Sequence, residues 1–290
     1  MSFIHPWAYF QISKNIKMNN KDLKKLQKIE LDILLQVVKF CDNNSIKYFL
    51  IGGTLLGAIR HDGFIPWDDD IDIGMFRDDY EKFLKLFPFH INNKNLYIQN
   101  KRNTPNVPYL FTKIRLKNSA AIDRETQHAK FKKGIFIDIF PLDKVPEKDN
   151  LILLLKYKFI TILKIITMYK IGFKSLKYPW VNFFLNCVSL ALNVTFINYL
   201  TEKFMLSFNN KKINFVTSFG SGFHYTKQKF LKDDYGVGKL KEFEGHMFNI
   251  PLKFEKILTQ LYGDYNKVPC KEKQISHSFI KIIFPNDKKI

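Results

Sequence analysis

The sequence predicts a mixed α/β (α+β) fold: a mixed sheet flanked by helices and interrupted by a helical insertion. Three observations carry this. Residues 48–74, YFLIGGTLLGAIRHDGFIPWDDDIDIG, run from a short apolar strand through Gly52-Gly53 and a short helix to an alternating Asp-Ile strand. Residues 134–143, GIFIDIFPLD, alternate again and hold a single acid, Asp138, among apolar neighbours up to Pro141. After Pro146 the chain changes character, and 151–170 and 180–200 are apolar stretches of helical length. The expected organisation is a core over 1–150, an apolar and basic helical insertion over 151–234, and a C-terminal part over 235–290 that returns to the core.

In chain order, residues 21–40 place Leu26, Ile29, Ile33, Leu34, Val37 and Val38 at helical spacing with Lys and Glu between them. This is a surface helix packed on the core, broken by Asp42-Asn43-Asn44-Ser45. Tyr48–Ile51 has strand character. Gly52-Gly53 lets the backbone turn with positive φ and lets a ligand approach the main chain. Thr54–Arg60 reads as a short helix whose N-terminus offers free N–H groups and a positive dipole end, which suits a phosphate. Asp68, Asp69, Asp70 and Asp72 then crowd into five residues. On a strand, Asp70 and Asp72 share one face while Ile71 and Ile73 anchor the other. Two carboxylates side by side repel each other, and a divalent cation between them removes the conflict.

Arg77–Phe87 is a second amphipathic helix, ending near Pro88, and 95–123 reads as short strands separated by polar turns. Within 109–116, Lys113 and Arg115 share a strand face. Two readings stay open: an exposed edge with two snorkelling bases, or a basic pair that meets a phosphate. In 134–143 alternation sets Phe136, Asp138 and Phe140 against Ile135, Ile137 and Ile139. An acid inside so apolar a strand needs an ion partner or a cation; a buried structural Asp is the alternative. Phe254, Ile257, Leu258 and Leu261 give one more helix face, terminated by Tyr262-Gly263-Asp264-Tyr265.

Lys+Arg number 46 against 27 Asp+Glu, a net charge of +19 over 290 residues. That balance favours anionic partners: nucleotides, phosphorylated glycans, an anionic membrane surface or nucleic acid. No RNA-binding motif or aromatic-basic stacking series is present, so nucleic acid is not expected. Cys41, Cys187 and Cys270 show neither metal-ligand spacing nor a disulfide framework, and the N-terminus lacks a continuous apolar leader segment, so a cytoplasmic location is expected. Lys156, Lys158 and Lys164 break the first long apolar stretch, and four asparagines dilute the second. As a membrane span the first fails on charge and the second is marginal. A helical subdomain packed on the core is the first expectation, with peripheral contact to an anionic inner leaflet as the alternative.

The stretch GGTLLGAIRHDGFIPWDDDIDI resembles the signature of the LicD family, within the nucleotidyltransferase-fold superfamily. Ile51-Gly52-Gly53-Thr54 stands as the glycine turn of that superfamily and Asp70-Ile71-Asp72-Ile73 as its acidic strand. GIFIDIFPLD and FEGHMFNIPLKFEKILTQLYGDY continue the likeness, which covers about residues 25–145 and 235–280. The resemblance implies a nucleotidyltransferase-like catalytic core. It implies a metal-dependent phosphotransferase that moves a phospho-substituent such as phosphocholine from a CDP-activated alcohol, CDP-choline above all, to a sugar hydroxyl of a glycan or glycolipid precursor. Asp70, Asp72 and Asp138 would hold Mg²⁺ or Mn²⁺, and one of these carboxylates or a bound water would accept the proton of the attacking hydroxyl. Gly52, Gly53 and Thr54 would cradle phosphate, with Arg60 and His61 on the same group and Lys113 and Arg115 opposite. His277 matches a histidine common near the end of this family. The alternatives are true nucleotidyl transfer with release of pyrophosphate, and a non-enzymatic protein that binds membrane or nucleic acid.

Overall fold

The computed structural model describes residues 18–91, 95–173, 179–274, 279–285 and 287. Helix α1 (Asn20–Asn43) is capped by Asn19, whose side-chain oxygen accepts the Asp22 N–H at 2.8 Å. Its apolar stripe, with Leu26, Ile33, Leu34 and Val37, is buried. Strand β1 (Phe49–Leu50) runs directly into α2 (Gly52–His61), and β2 (Asp72–Phe76) into α3 (Arg77–His90). Strands β3 (Leu96–Gln99), β4 (Thr112–Leu116), β5 (Ala120–Asp123) and β6 (Phe136–Lys144) follow. The main sheet has the order β1-β2-β6-β4-β3, with β2 parallel to β6 and the other neighbours along this path antiparallel.

One face of this sheet is apolar. Ile71, Ile73, Ile114, Ile137 and Ile139 are fully buried there and join a cluster with Leu26, Ile33 and Leu34 of α1 and Phe83 and Phe87 of α3. Each such side chain contributes roughly 1.5–3 kcal/mol when fully buried. The strict alternation of isoleucine with polar or aromatic residues therefore fixes which face looks away from α1 and α3. A one-residue slip would put every acid into the apolar layer.

The helical unit comprises α4 (Leu151–Lys170), α5 (Pro179–Ala191) and α6 (Val194–Met205). Leu163 and Ile166 of α4 pack with Ile197 of α6 and Leu185 of α5. The chain rejoins the sheet through β7 (Phe215–Thr217), which pairs with the end of β6, and β8 (Phe230–Leu231). After the one-turn α7 (Lys232–Tyr235), strands β9 (Lys239–Phe243) and β10 (His246–Ile250) form a hairpin. Its two turn residues, Glu244 and Gly245, both have positive φ, as a twisted two-residue turn requires. The hairpin tip fastens the loop after α2, since Glu244 Oε1 accepts the Phe64 N–H at 2.9 Å. Helix α8 (Phe254–Tyr262) and β11 (Phe279–Ile283), which pairs with β5, complete the described chain.

Four expectations change. The strand of Lys113 and Arg115 is not an exposed edge: β4 lies between β3 and β6, and the two residues are 4% and 0% exposed. The apolar run 180–200 is not one helix. It breaks at Leu192-Asn193, and Asn193 caps α6 by accepting the Thr195 N–H at 2.7 Å. The acidic strand begins at Asp72 rather than Asp70, although the Ile71 carbonyl already accepts the Asp138 N–H at 2.8 Å. The helices of the insertion end before Phe215, where the chain is already back in the sheet.

Candidate active site

Strand register assembles the site. Asp72 pairs with Asp138, Asp138 with Lys113, and Lys113 with Gln99. Paired residues on neighbouring strands project to the same side, so these four form a row across β2, β6, β4 and β3, opposite the isoleucine face. Lys113 Nζ donates to both oxygens of Asp138, at 2.8 Å each. The ammonium also lies 3.4 Å from the centre of the Phe136 ring, with Tyr109 at 4.7 Å and Phe111 at 5.1 Å. Three ring faces around one cation hold it by their quadrupoles where water is excluded. Burial pushes the Asp138 pKa up against the pull of Lys113, and pushes Lys113 down against the pull of Asp138. The pair is therefore closer to exchanging its proton than the same groups in water.

The acids on the other side of the row stand over the start of α2. A Cβ on Gly52, whose φ is +57°, would come within 3.1 Å of Asp72 Oδ2, and one on Gly53 within 2.7 Å of Asp68 Oδ2. The two glycines are required because carboxylates occupy that space, next to the positive end of the helix. Thr54 Oγ1 accepts the Asp72 N–H at 2.8 Å, so the buried hydroxyl fixes where the acidic strand begins. Asp68, Asp69 and Asp70 each bring one carboxylate oxygen to within 4.8 Å of the others. Gln27 of α1 donates to the Asp68 carbonyl at 2.8 Å.

One turn along α1, Glu30 is 1% exposed, and neither of its oxygens has a hydrogen-bond partner among the described residues. Burial, then the charges of Asp70, Asp69 and Asp68, push its pKa well up. A buried carboxyl without partners beside three converging carboxylates is a set of hard oxygen donors short of positive charge, and a divalent cation of the Mg²⁺ or Mn²⁺ class fits it.

The rim comes from the C-terminal part. Tyr262, the last residue of α8, has its phenol pKa raised by burial and then by Asp72, Asp68 and Asp70, which keeps it a neutral hydrogen-bond donor near the acids. Arg60 and His61 lie at the opposite end of α2 from Gly52-Gly53, about 12 Å along the helix axis. Arg60 Nη1 donates to the Tyr265 carbonyl at 3.1 Å, and its Nε meets His61 Nε2 at 3.0 Å. Burial lowers both their pKa values, and for His61 the Arg60 charge adds to the effect. Arg115 turns inward, with Nε on Gln99 Oε1 and Nη1 on the Gly134 carbonyl, both at 2.6 Å. His277 lies outside the described residues.

The fold thus brings together Gly52, Gly53, Thr54, Asp70, Asp72, Lys113 and Asp138, and sets Arg60, His61 and Arg115 to holding neighbouring segments. It adds Glu30, Asp68, Asp69, Tyr262 and the rings of Tyr109, Phe111 and Phe136. A signal for Glu30 exists in the sequence: Gln27, Glu30, Leu34 and Val37 fall on one helix face, so an acid interrupts the apolar stripe. Tyr262 carries no comparable mark. A cavity of about 580 Å³ opens elsewhere, at the helices of the insertion, lined in part by Asn106, Tyr169, Asn186, Ser189 and Asn193.

Comparison with known proteins accords with this site. Residues 45–159 match the family described as LicD/FKTN/FKRP, nucleotidyltransferase domain. The chain is 31% identical over 271 residues to the lipopolysaccharide cholinephosphotransferase LicD of Haemophilus influenzae, covering 90% of this chain and 97% of that protein. An uncharacterised protein of Rickettsia prowazekii is 28% identical over 208 residues, 69% of this chain and 73% of its own. The human ribitol 5-phosphate transferase FKRP is 46% identical over 43 residues, 15% of this chain and 9% of that protein. With acid loop, glycine turn and near full-length similarity in agreement, the chain belongs to the LicD family.

Proposed function

We propose that this protein is a metal-dependent phosphotransferase that moves a phospho-substituent, phosphocholine or a related alcohol phosphate, from a CDP-activated donor to a sugar hydroxyl of a surface glycan or glycolipid precursor. The row Asp72–Asp138–Lys113 beside the Asp68–Asp70 loop carries this reading. Carboxylates, a buried lysine and the start of a helix lie side by side there, and these are components that transfer of a phosphoryl-linked group uses. The relatives' names support the direction: one is a cholinephosphotransferase of lipopolysaccharide, another a ribitol 5-phosphate transferase.

Asp70, Asp72 and Asp138 would hold Mg²⁺ or Mn²⁺. When bound, the cation neutralises the donor diphosphate and the charge that grows on the departing CMP oxygen. Lys113 balances the Asp138 charge in the free protein and offers its ammonium to a phosphoryl oxygen once a donor is bound. Asp138, its pKa raised by burial, is the carboxylate suited to take the proton of the sugar hydroxyl. Gly52 and Gly53, lacking side chains, let the Asp72 and Asp68 carboxylates approach the start of α2, where a cation would let a phosphate join them at the positive helix end. Tyr262 supplies a neutral donor at the rim.

The test is incubation with Mg²⁺, a glycolipid acceptor and a panel of CDP-alcohols, with nucleotide products separated chromatographically. CMP release dependent on both metal and acceptor is the expected result. Pyrophosphate in its place would assign true nucleotidyl transfer, and no product from any donor would remove the reading.

A further inference from the structure

The helical insertion leaves apolar side chains in water on all three of its helices. On α4, Leu151, Ile152, Leu155, Phe159 and Ile162 are exposed, at spacings of one helix face, while Leu153, Ile160, Leu163 and Ile166 on the other side are buried. On α5, Trp180, Phe183, Phe184 and Leu190 are exposed, with Phe183 75% accessible. On α6, Phe196 and Tyr199 are exposed. Of the seventeen exposed large apolar side chains among the described residues, eleven belong to these helices, so the effect is localised rather than a general property of the surface. Contiguous apolar surface of this kind marks a contact with a membrane or a partner.

Charge selects between these occupants. Residues 151–214 contain nine lysines, no arginine and one acid, Glu202. That acid is committed to the core, since Arg102 of the loop before β4 pairs with it. Lys158 stands on the exposed α4 face and Lys203 on the exposed side of α6. A second copy of the same unit would bring exposed lysines such as Lys158 and Lys203 against their own kind, whereas an anionic bilayer answers them. The helix geometry suits the interface better than a crossing. The 13 residues of α5 reach about 20 Å against a hydrocarbon core of about 30 Å, and α5 and α6, apolar enough together, meet at 96°. Among the described residues no single helix is long and apolar enough to cross a membrane.

We propose that α4, α5 and α6 form a membrane-docking face that lies in the interface of an anionic bilayer, with Phe and Trp side chains among the acyl chains and lysines at the headgroups. The unit abuts the segment that leads into Lys113. Leu110 packs with Leu153 and Ile160 of α4, and Asn198 of α6 donates to the Pro105 carbonyl at 2.9 Å. Docking therefore holds the Lys113 side of the site close to a lipid-borne acceptor. This deepens the acceptor part of the proposed function, but binding itself needs no catalysis.

The test is sedimentation of the full chain with vesicles of phosphatidylcholine alone or with phosphatidylglycerol, for wild type and the double variant Phe183→Asp/Phe184→Asp. Wild type is expected to sediment at least ~10-fold better with the anionic vesicles, to be released progressively by salt, and to show Trp180 quenching by brominated lipid that is absent in Trp180→Phe. The double variant is expected to lose most of the binding while its metal-dependent turnover of CDP-alcohol with a soluble sugar acceptor stays unchanged, which separates this proposal from the reading of the site. Wild type that ignores anionic vesicles, a double variant that binds like wild type, or a dimer in analytical ultracentrifugation that the double variant disperses would each overturn it.

Discussion

Strand β6 carries two buried acids at its two ends, and their surroundings differ in kind. Asp143, near the C-terminal end, is held by Arg77 at 2.7 and 2.6 Å and by Asn209 at 2.7 Å. Every partner is a donor fixed on another element, and Arg77 is tied further to Glu81. Asp138, five residues earlier, has a single cation partner on a flexible stem, in an aromatic pocket, next to a loop with an excess of carboxylates. A planar bidentate guanidinium makes a closed structural joint, whereas a lysine ammonium is a point charge that can move to another anion. The contrast fits Asp143 as the joint that holds β6 against α3, and it supports the chemical role proposed for Asp138.

Breaking each pair should separate the two roles. Asp138→Asn keeps the shape and an acceptor for Lys113, so it is expected to fold with a smaller stability loss than Asp143→Ala although Lys113 loses its counter-charge, and to lose turnover by a factor of roughly 100 or more. Asp143→Ala is expected to lose about 3–5 kcal/mol of stability, because it leaves Arg77 buried without its counter-charge. Urea titration combined with turnover per folded molecule checks both. Comparable activity loss and comparable stability loss in the two variants would erase the distinction. Lys113→Met sharpens it further. The unpaired Asp138 should destabilise the metal-free protein, and Mg²⁺ should then raise its melting temperature by more than it raises that of wild type. A smaller metal-induced shift than in wild type would place Lys113 and the cation in unrelated sites.

Two smaller effects test the acid loop. Thr54→Val keeps the shape but leaves the Asp72 N–H without its acceptor, at about 1–3 kcal/mol, while Thr54→Ser should be nearly neutral. Glu30→Gln should raise the melting temperature of metal-free protein by a few degrees at neutral pH. The sign follows from linkage. The pKa of Glu30 is raised in the folded state, so its destabilising effect is absent below the ordinary glutamate range and grows as pH rises above it. The difference between variant and wild type should accordingly shrink toward zero near pH 4, and a difference independent of pH would assign it to packing.

The sequence makes legible what is decided within a few residues. Period-two alternation locates β2 and β6 and their faces, and Gly52-Gly53 marks the turn, because each depends only on neighbours along the chain. The partner of Asp138 is not legible in this way. Lys113 reaches it because β4 inserts between β3 and β6, a choice made by strands 25 residues apart in sequence. The same insertion buries Arg115, which on an edge would have faced solvent. Arg60 and His61 read as phosphate contacts because they follow the glycine turn closely; the intervening helix sets them at its other end, where Arg60 stands near Tyr262 on the rim of the acids. The break between α5 and α6 rests on one capping asparagine, Asn193, inside a run whose hydropathy speaks for continuity. Glu30 was visible as an acid on an apolar stripe, yet its meaning depends on the acid loop that packs over it.

In the proposed function Asp138, and not Asp143, belongs to a cation site with Asp70 and Asp72. Titration of the purified protein with Mn²⁺, followed by the loss of the free-ion paramagnetic resonance signal, tests it without any substrate. Asp138→Asn is expected to weaken Mn²⁺ binding at least ~10-fold, since a neutral amide lacks the charge a hard cation prefers, while Asp143→Asn is expected to bind like wild type. An Asp138→Asn protein that binds Mn²⁺ as wild type does would contradict it.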